Sequence, residues 1–218
     1  MTKAQVRQRI IDSGIIPVVR APSAELARAA SDAVAEGGIR IVEVTLTVPG
    51  AVELIAHLAR STTGILIGAG TVLDAESAQR CLDAGAQFLV SPGFDPATVE
   101  LAARESILMM AGALTPTEVI NTWKSGVDFV KIFPCGNVGG PSYIKSLKAA
   151  LPHIPMVPTG GVNLNTAAAF LDAGSAALGI GSDLISAAAL QYGSFDAITD
   201  LARQYVAIVN AARQPAHA

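Results

Sequence analysis

The sequence is poor in the residues that bind metals, form disulfides or contact nucleic acid. It has two cysteines and three histidines in 218 residues, and without a CxxC pattern neither a disulfide framework nor a zinc site is expected. The 15 basic residues are scattered, and the formal net charge is -3. The composition therefore predicts no metal, no nucleic-acid partner and no binding to an anionic membrane surface.

Long apolar runs and a secretory leader are also missing. No apolar stretch approaches the ~18 to 20 residues of a membrane-spanning helix, and the opening segment MTKAQVRQRIIDSG is amphipathic and charged throughout. We therefore expect a cytoplasmic protein. Hydrophobic residues nevertheless make up 51% of the chain, which is enough for a large core. We predict one domain over residues 1–218, with its core at about 10–205.

An internal repeat organises the chain. A helical stretch, a glycine and a short apolar run recur as AVAEGGIRIVEV, CLDAGAQFLVSP, TWKSGVDFVKIF and FLDAGSAALGIG. The glycine in each copy suits the left-handed end of a helix, and the run that follows is too short for another helix. With the runs that lack this cue, eight strands are predicted, at 15–20, 39–45, 65–70, 87–92, 107–112, 128–133, 155–160 and 176–181.

Helical patterns separate these strands, and several begin with Ser, Asp or Asn at the N-cap position. Strands that alternate with helices pair in parallel through right-handed crossovers, and eight such units close into a (β/α)8 TIM barrel. We predict this compact barrel with an extra N-terminal helix. The alternative, an open doubly wound sheet, normally has fewer strands and would leave two edges to protect. A last helix is predicted over 194–212, followed by a frayed tail, RQPAHA.

Two charged residues interrupt predicted strands. Lys131 lies within DFVKIF and Glu43 within RIVEVT, and the active site of a TIM barrel forms at the C-terminal ends of its strands. Desolvation favours the neutral lysine amine, a nucleophile that can form a Schiff base with a ketone, while a buried carboxylate can transfer protons directly or through water. The alternatives are a structural ion pair of Lys131 with Glu43, an ion pair of Glu43 with Arg40, or a Lys131 side chain that extends out of the barrel mouth into water.

Two glycine-rich turns late in the chain indicate a phosphate site. The motifs PTGGVN and LGIGSDL each end a predicted strand and lead into a helix. Glycine allows the backbone to approach an anion, and the loops after strands 7 and 8 are the usual phosphate site of this fold. The alternative is a pair of ordinary turns. The run IGAGT lacks the third glycine of a dinucleotide fingerprint, so no cofactor is predicted.

These motifs resemble a known family over about residues 10–205. The matching segments are VEVTL (42–46), IGAGTVL (67–73), GAQFLVSPG (85–93), VKIFP (130–134), PTGGV (158–162) and IGSDL (180–184). They are similar to the class I 2-keto-3-deoxy-6-phosphogluconate aldolases of the Entner–Doudoroff pathway. The resemblance implies a homotrimeric lyase that splits a phosphorylated keto-deoxy sugar acid into pyruvate and glyceraldehyde 3-phosphate without a metal.

The resemblance also implies a role for individual residues. Lys131 resembles the Schiff-base lysine, Glu43 the acid/base carboxylate that acts through water, and Thr71 the residue that holds the pyruvate carboxylate. The other implied substrate-binding residues are Pro92 and Phe133 as pocket walls, Thr159 near the C4 hydroxyl, and Gly160, Gly161, Gly181 and Ser182 at the phosphate.

One position departs from the family pattern. Many gluconate-type members carry a carboxylate-binding arginine shortly after VEVTL, where this chain has Thr47; Arg20, at the end of the first strand, is the expected substitute. The segment 139–148 is nearer to the galactonate-type sister aldolases, whereas Thr159 favours the gluconate substrate because galactonate-type members tend to carry Val there. We therefore expect the gluconate to be the substrate, and in this family activity on 4-hydroxy-2-oxoglutarate often accompanies activity on the gluconate. The alternatives are the galactonate, a non-catalytic phosphosugar-binding barrel, and a phosphosugar epimerase or isomerase.

Overall fold

The computed structural model describes residues 1–61 and 64–213, which form a parallel barrel of eight strands with helices around it. Each predicted strand overlaps one observed strand, and only β5 extends beyond its predicted range, by one residue, to Ala113. The strands are β1 (Ile15–Val19), β2 (Ile41–Thr45), β3 (Leu66–Gly70), β4 (Phe88–Val90), β5 (Leu108–Ala113), β6 (Phe129–Ile132), β7 (Met156–Pro158) and β8 (Leu178–Ile180).

Ten α-helices and one short 3₁₀ helix lie within the described residues. The α-helices are α1 (Lys3–Ser13), α2 (Ala24–Glu36), α3 (Ala51–Ser61), α4 (Ala75–Asp83), α5 (Pro96–Arg104), α6 (Pro116–Lys124), α7 (Pro141–Ala150), α8 (Ala167–Asp172), α9 (Ala187–Tyr192) and α10 (Phe195–Arg213), and the 3₁₀ helix is Gly136–Val138. None of these helices combines the length and the apolar character needed to cross a bilayer. The predicted helix α10 continues to Arg213, and the rest of the predicted frayed tail lies outside the described residues.

The strand order closes the barrel. Strands β1 to β7 pair side by side in chain order, and β8 pairs with β1. Between β7 and β8 a single parallel bridge joins Thr159 to Gly179. The predicted TIM barrel with an extra N-terminal helix is therefore confirmed, and the open doubly wound sheet is excluded.

Local sequence signals fix the helix ends. Ser23, Asp74 and Asp95 cap α2, α4 and α5 by accepting a hydrogen bond from a backbone N–H three residues on. After α4 and α8, Gly85 and Gly174 have positive φ, as the repeated glycine predicts. The pattern that begins at Asn163 differs: its first residues form a turn in which the Asn163 side chain accepts from two backbone N–H groups, so α8 is shorter than predicted.

Alternation along the strands separates two parts of the core. Val42 and Val44 of β2 face the surrounding helices and belong to the larger apolar cluster. Ile41 of the same strand belongs to a smaller cluster inside the barrel, with Phe88 and Phe129. Because side chains of a strand point alternately to its two faces, Glu43 lies inside the barrel above Ile41. The outward layer stabilises the fold, and the inward layer positions the site.

Candidate active site

Lys131 and Glu43 meet inside the barrel. The Nζ atom of Lys131 on β6 lies 4.0 Å from Oε1 of Glu43 on β2, and each side chain is 3% exposed. The two residues come from opposite parts of the sheet, since β3, β4 and β5 lie between their strands. The structure thus brings together the two charged residues that the sequence picked out.

Glycine in the neighbouring strand makes room for the carboxylate. Gly70 pairs in register next to Thr45 on β2, and a Cβ atom at Gly70 would collide with Oε1, Cγ and Cδ of Glu43. The Glu43 side chain therefore extends across β3 toward the barrel axis. Any side chain at Gly70 would displace it, because a Cβ has no space there.

The Glu43 carboxyl is held in a low-dielectric environment. Burial raises its pKa above the ordinary value of 4.5, against the opposing positive charges of Lys131 and Arg20. Its Oε1 atom makes no hydrogen bond within the described residues. At 4.0 Å, the lysine is too distant for a normal hydrogen bond to this atom. The carboxyl therefore keeps an oxygen available to exchange a proton with a bound molecule.

Phe133 and Pro92 lie on the side of Lys131 toward the barrel mouth. The Lys131 Nζ is 5.4 Å from the centroid of the Phe133 ring, a cation–π distance. Both Phe133 and Pro92 line a cavity of about 340 Å³ that also includes Glu118 and Asn121. Phe133 thus lies beside the Lys131 amine, and Pro92 borders the same cavity as Phe133.

Thr71 follows β3 at the mouth and has a φ of 57°. Positive φ is uncommon for a β-branched residue, and such conformations concentrate at functional sites. Thr71 lines a cavity of about 630 Å³ together with Thr47 and Leu73. It is not among the residues that line the cavity of Phe133 and Pro92. Thr71 therefore directly follows Gly70, the glycine that faces Glu43, but lies in a different recess of the mouth.

The two glycine-rich turns form one small cavity. The turn after β7 contributes Thr159, Gly160 and Gly161, and the turn after β8 contributes Gly181 and Ser182, to a cavity of about 190 Å³. Gly160 and Gly161 have φ of 85° and 76°, which the absence of a Cβ permits. The backbone N–H groups of Gly161 and Ser182 donate no hydrogen bond to any described residue. The cavity therefore offers unpaired amides of the kind that bind an anion.

Arg20 lines this same cavity and not the recess of Thr71. It also lines a neighbouring groove of about 570 Å³, which is mostly apolar and includes Thr47, Ala187 and Leu190. The predicted substitution of Arg20 for the missing arginine at Thr47 thus has a geometric basis, since both residues border one groove. Arg20 therefore borders both the groove of Thr47 and the glycine-rich turns.

Sequence reasoning missed the close approaches at several glycines that shape the barrel interior. Besides Gly70, Gly112 of β5 has no space for a Cβ because the Pro92 carbonyl lies against it, and Gly179 of β8 lies against Oγ1 of Thr159. A glycine inside a strand is the signal for such a close approach. No group of three His, Cys, Asp or Glu side chains suitable for a metal occurs within the described residues.

The fold and the site define a (β/α)8 barrel with a buried lysine–glutamate pair below a glycine-rich mouth. The chain belongs to the KDPG and KHG aldolase family, whose model matches residues 6–201. The 2-dehydro-3-deoxy-phosphogluconate aldolase of Treponema pallidum is 35% identical over 89% of this chain and 93% of that protein.

Two solved structures show the same fold at similar identity. A structure described as native KDPGal is 31% identical, covers 92% of this chain and 96% of its own, and has a TM-score of 0.83. The KDPG aldolase of Legionella pneumophila, with pyruvate captured as a covalent carbinolamine intermediate, is 28% identical over 91% of this chain and 97% of its own, with a TM-score of 0.82.

Proposed function

We propose that this protein is a Schiff-base aldolase that cleaves 2-dehydro-3-deoxy-6-phosphogluconate to pyruvate and glyceraldehyde 3-phosphate. One observation carries the proposal: Lys131 and Glu43 are both 3% exposed and lie 4.0 Å apart inside the barrel. A lysine that is removed from water is suited to covalent catalysis on a ketone, and the carboxyl group beside it can transfer the protons that the reaction requires. The names of the relatives support the same substrate class.

Lys131 begins the reaction by attacking the C2 ketone of the substrate with its neutral amine. The carbinolamine loses water and becomes a protonated imine. The C4 hydroxyl then gives up its proton, the C3–C4 bond breaks, and its electron pair moves into the imine to give an enamine. Glyceraldehyde 3-phosphate leaves, C3 takes up a proton, and water releases pyruvate and the free amine.

Glu43 moves the protons in these steps. Its carboxylate accepts the C4 hydroxyl proton, through a water molecule, and the acid returns a proton to C3 of the enamine. Burial raises the pKa of Glu43, and a carboxyl with a raised pKa works well as both base and acid near neutral pH. The free Oε1 atom supports this role.

The remaining site residues hold the two ends of the substrate. Pro92 and Phe133 form the walls around the pyruvate half. Thr71 borders a separate recess of the mouth, and its proposed role is to hold the pyruvate carboxylate, as the family resemblance implies. Gly160, Gly161 and Ser182, with Gly181 beside them, receive the phosphate through backbone N–H groups and one hydroxyl. This division is supported by the position of the 190 Å³ cavity at the ends of β7 and β8, where the loops of TIM barrels commonly bind phosphate.

Borohydride reduction in the presence of pyruvate tests the covalent step. Hydride adds to C2 of the imine and leaves a stable secondary amine on the lysine. We expect mass spectrometry of a digest to find this adduct at Lys131, and the Lys131→Arg protein to remain unmodified. If the parent protein stays unmodified at saturating pyruvate, the proposal of a Schiff-base aldolase is wrong. The protein would instead be a phosphosugar-binding barrel, or an epimerase or isomerase that needs no imine.

The prediction that the gluconate is preferred over the galactonate, its C4 epimer, depends on Thr159. Its side chain is buried and its Oγ1 contacts Gly179, at the border of the cavity that would receive the phosphate end. We expect the gluconate to have the higher kcat/KM, and Thr159→Val to shift the ratio toward the galactonate, with Thr159→Ser as the matched variant that keeps the hydroxyl. A parent enzyme that prefers the galactonate reverses the assignment, and the likeness to the KDPGal structure gives that outcome its support.

We also propose that the active form is a cytoplasmic homotrimer. Two apolar side chains at the mouth, Leu73 and Phe94, are 63% and 43% exposed in the single chain, as residues of a subunit contact would be. Light scattering should then give three times the 22.3 kDa of the chain. A monomer mass contradicts the trimer.

A further inference from the structure

An acidic side chain lines the cavity that would bind phosphate. Asp183 follows Ser182 in the turn after β8 and borders the 190 Å³ cavity together with Gly160, Gly161 and Arg20. Of the residues that line this cavity, Arg20 and Asp183 carry charge. Their opposite charges offset each other, so the side chains add little net attraction for an anion.

The turn that carries Asp183 is held in place. The backbone N–H groups of Leu184 and Ile185 both donate to the carbonyl of Gly181, at 3.0 and 2.9 Å. The side chains of Leu184 and Ile185 are buried in the core beneath the turn. The backbone of Asp183 is therefore fixed at the cavity, since the turn cannot move away without exposing two apolar side chains, while the Asp183 side chain itself is exposed.

The charge of Asp183 also acts on the interior beneath the turn. Tyr205 of α10 is buried, and its hydroxyl has no hydrogen-bond partner among the described residues. Burial raises the pKa of Tyr205 to about 12, and the negative charge of Asp183 contributes to the shift. The position of Asp183 at the border of the cavity rests on the lining of that cavity.

A carboxylate in this place has opposite effects on two kinds of ligand. A phosphate monoester carries about two negative charges near neutral pH, so Asp183 repels it. A carboxylate has acceptors and no donor, so it attracts a hydroxyl. We propose that Asp183 is a specificity-determining residue that weakens the preference for a phosphate and admits acceptors that end in a neutral hydroxyl. This inference rests on the proposed aldolase activity.

The test compares two acceptors that differ by the phosphate group. Condensation of pyruvate is measured with glyceraldehyde 3-phosphate and with glyceraldehyde. For Asp183→Asn we expect the KM for glyceraldehyde 3-phosphate to fall about 3- to 10-fold, and the KM for glyceraldehyde to rise, with kcat within twofold. Asp183→Lys should extend both trends. Asp172→Asn, which removes an exposed carboxylate at the end of α8, is the matched control and should leave both values unchanged.

Ionic strength separates an electrostatic role from a structural one. The decrease in KM for glyceraldehyde 3-phosphate that Asp183→Asn causes should be smaller in 1 M salt than at low salt, because screening weakens the repulsion in the parent enzyme. Equal changes of KM for the two acceptors, or no change, overturn the inference.

Failure of the aldolase itself is recognised separately. It appears as the loss of borohydride trapping at Lys131, whereas the role of Asp183 can still be measured as the affinity for inorganic phosphate by calorimetry. If Asp183→Asn binds phosphate no more tightly than the parent, Asp183 has no part in selecting the ligand.

Discussion

Each end of the barrel contains a lysine–carboxylate pair, and the two pairs differ in burial and in hydrogen bonding. At the bottom, Lys3 of α1 lies 2.9 Å from Asp128, with the two side chains 31% and 11% exposed. The Asp128 carboxylate also accepts from the backbone N–H of Met109, and Arg7 lies over the ring of Phe129 at 5.3 Å. These groups seal the bottom, because Val6 and Ile10 of α1 pack into the barrel beside them.

Below the mouth, the corresponding pair is more deeply buried and makes fewer hydrogen bonds. Lys131 and Glu43 are 3% exposed but 4.0 Å apart, and Oε1 of Glu43 has no partner within the described residues. A buried charge that lacks its full set of partners is costly. The comparison teaches that the presence of an ion pair and a cation–π contact does not identify a site. The difference lies in burial combined with incomplete pairing.

Lys131→Arg should have the largest effect. Arginine keeps the positive charge but stays protonated and cannot form an imine, so we expect cleavage to be abolished. Enzymes commonly lower a barrier by ~8 kcal/mol or more, and the covalent route supplies several of these. Steady-state assays with purified protein measure the loss. Turnover close to that of the parent would mean that Lys131 is a structural cation like Lys3.

Glu43→Gln should separate binding from proton transfer. The amide keeps the size of the side chain but cannot act as a base, so we expect turnover to fall by ~10² to 10⁴-fold while borohydride still traps pyruvate. The measurement is exchange of solvent deuterium into the pyruvate methyl group. If exchange is as fast as in the parent, Glu43 is a counter-ion, as Asp128 is at the bottom.

The pH profile should reflect the state of Glu43. Because burial raises its pKa, the carboxyl is still protonated at pH values where an ordinary glutamate has ionised. If the ionised form is the base, log kcat/KM rises with pH with a slope near one, and its ascending limb ends above pH 4.5. If the ascending limb of the pH profile is unchanged in Glu43→Asp and Glu43→Gln, it reports the ionisation of a group other than Glu43.

Gly161→Val should affect one end of the site. The residue has a φ of 76°, and a Cβ there would lie 2.7 Å from Cα of Gly136, so valine would strain the turn and block the approach of an anion. We expect a higher KM for the phosphorylated substrate and unchanged deuterium exchange into pyruvate. Ser182→Ala, which removes one hydrogen bond worth ~1.5 to 3 kcal/mol, should cost less. Equal weakening of pyruvate and phosphorylated substrate would remove the phosphate assignment.

Lys3→Gln should have the smallest effect. The pair with Asp128 is partly exposed, and such pairs contribute at most about 1 kcal/mol. We expect a slightly lower free energy of unfolding in urea and unchanged kcat/KM. A large loss of activity would show that the bottom of the barrel influences the mouth, and the contrast between the two ends would not hold.

The sequence predicted the fold because each signal was local. The repeated glycine located four of the strands, short apolar runs without it located the other four, and the count of eight decided for a closed barrel. The charged residues Lys131 and Glu43 were visible because each interrupts an apolar run. Their burial follows from alternation along β6 and β2.

The contacts that depend on the closed barrel could not be predicted. Nothing near Gly70 or Gly112 in sequence indicates that the first faces the Glu43 carboxylate and the second the Pro92 carbonyl. Likewise, the lengths of the turns do not reveal that Arg20 borders the glycine-rich cavity and Thr71 another recess. These relations arise from the tilt and register of eight strands, which no single segment encodes.

The bridge between Thr159 and Gly179 is the seam of the barrel. The other neighbouring strands are joined within the sheet, whereas β7 and β8 meet through this one parallel bridge. The turns that border the 190 Å³ cavity begin on either side of it. An anion that binds both turns would therefore hold the barrel together at this seam, which one bridge closes. Because a ligand that binds the folded state at 100 times its Kd adds about 2.7 kcal/mol of stability, occupancy of this site becomes part of what keeps the cylinder closed.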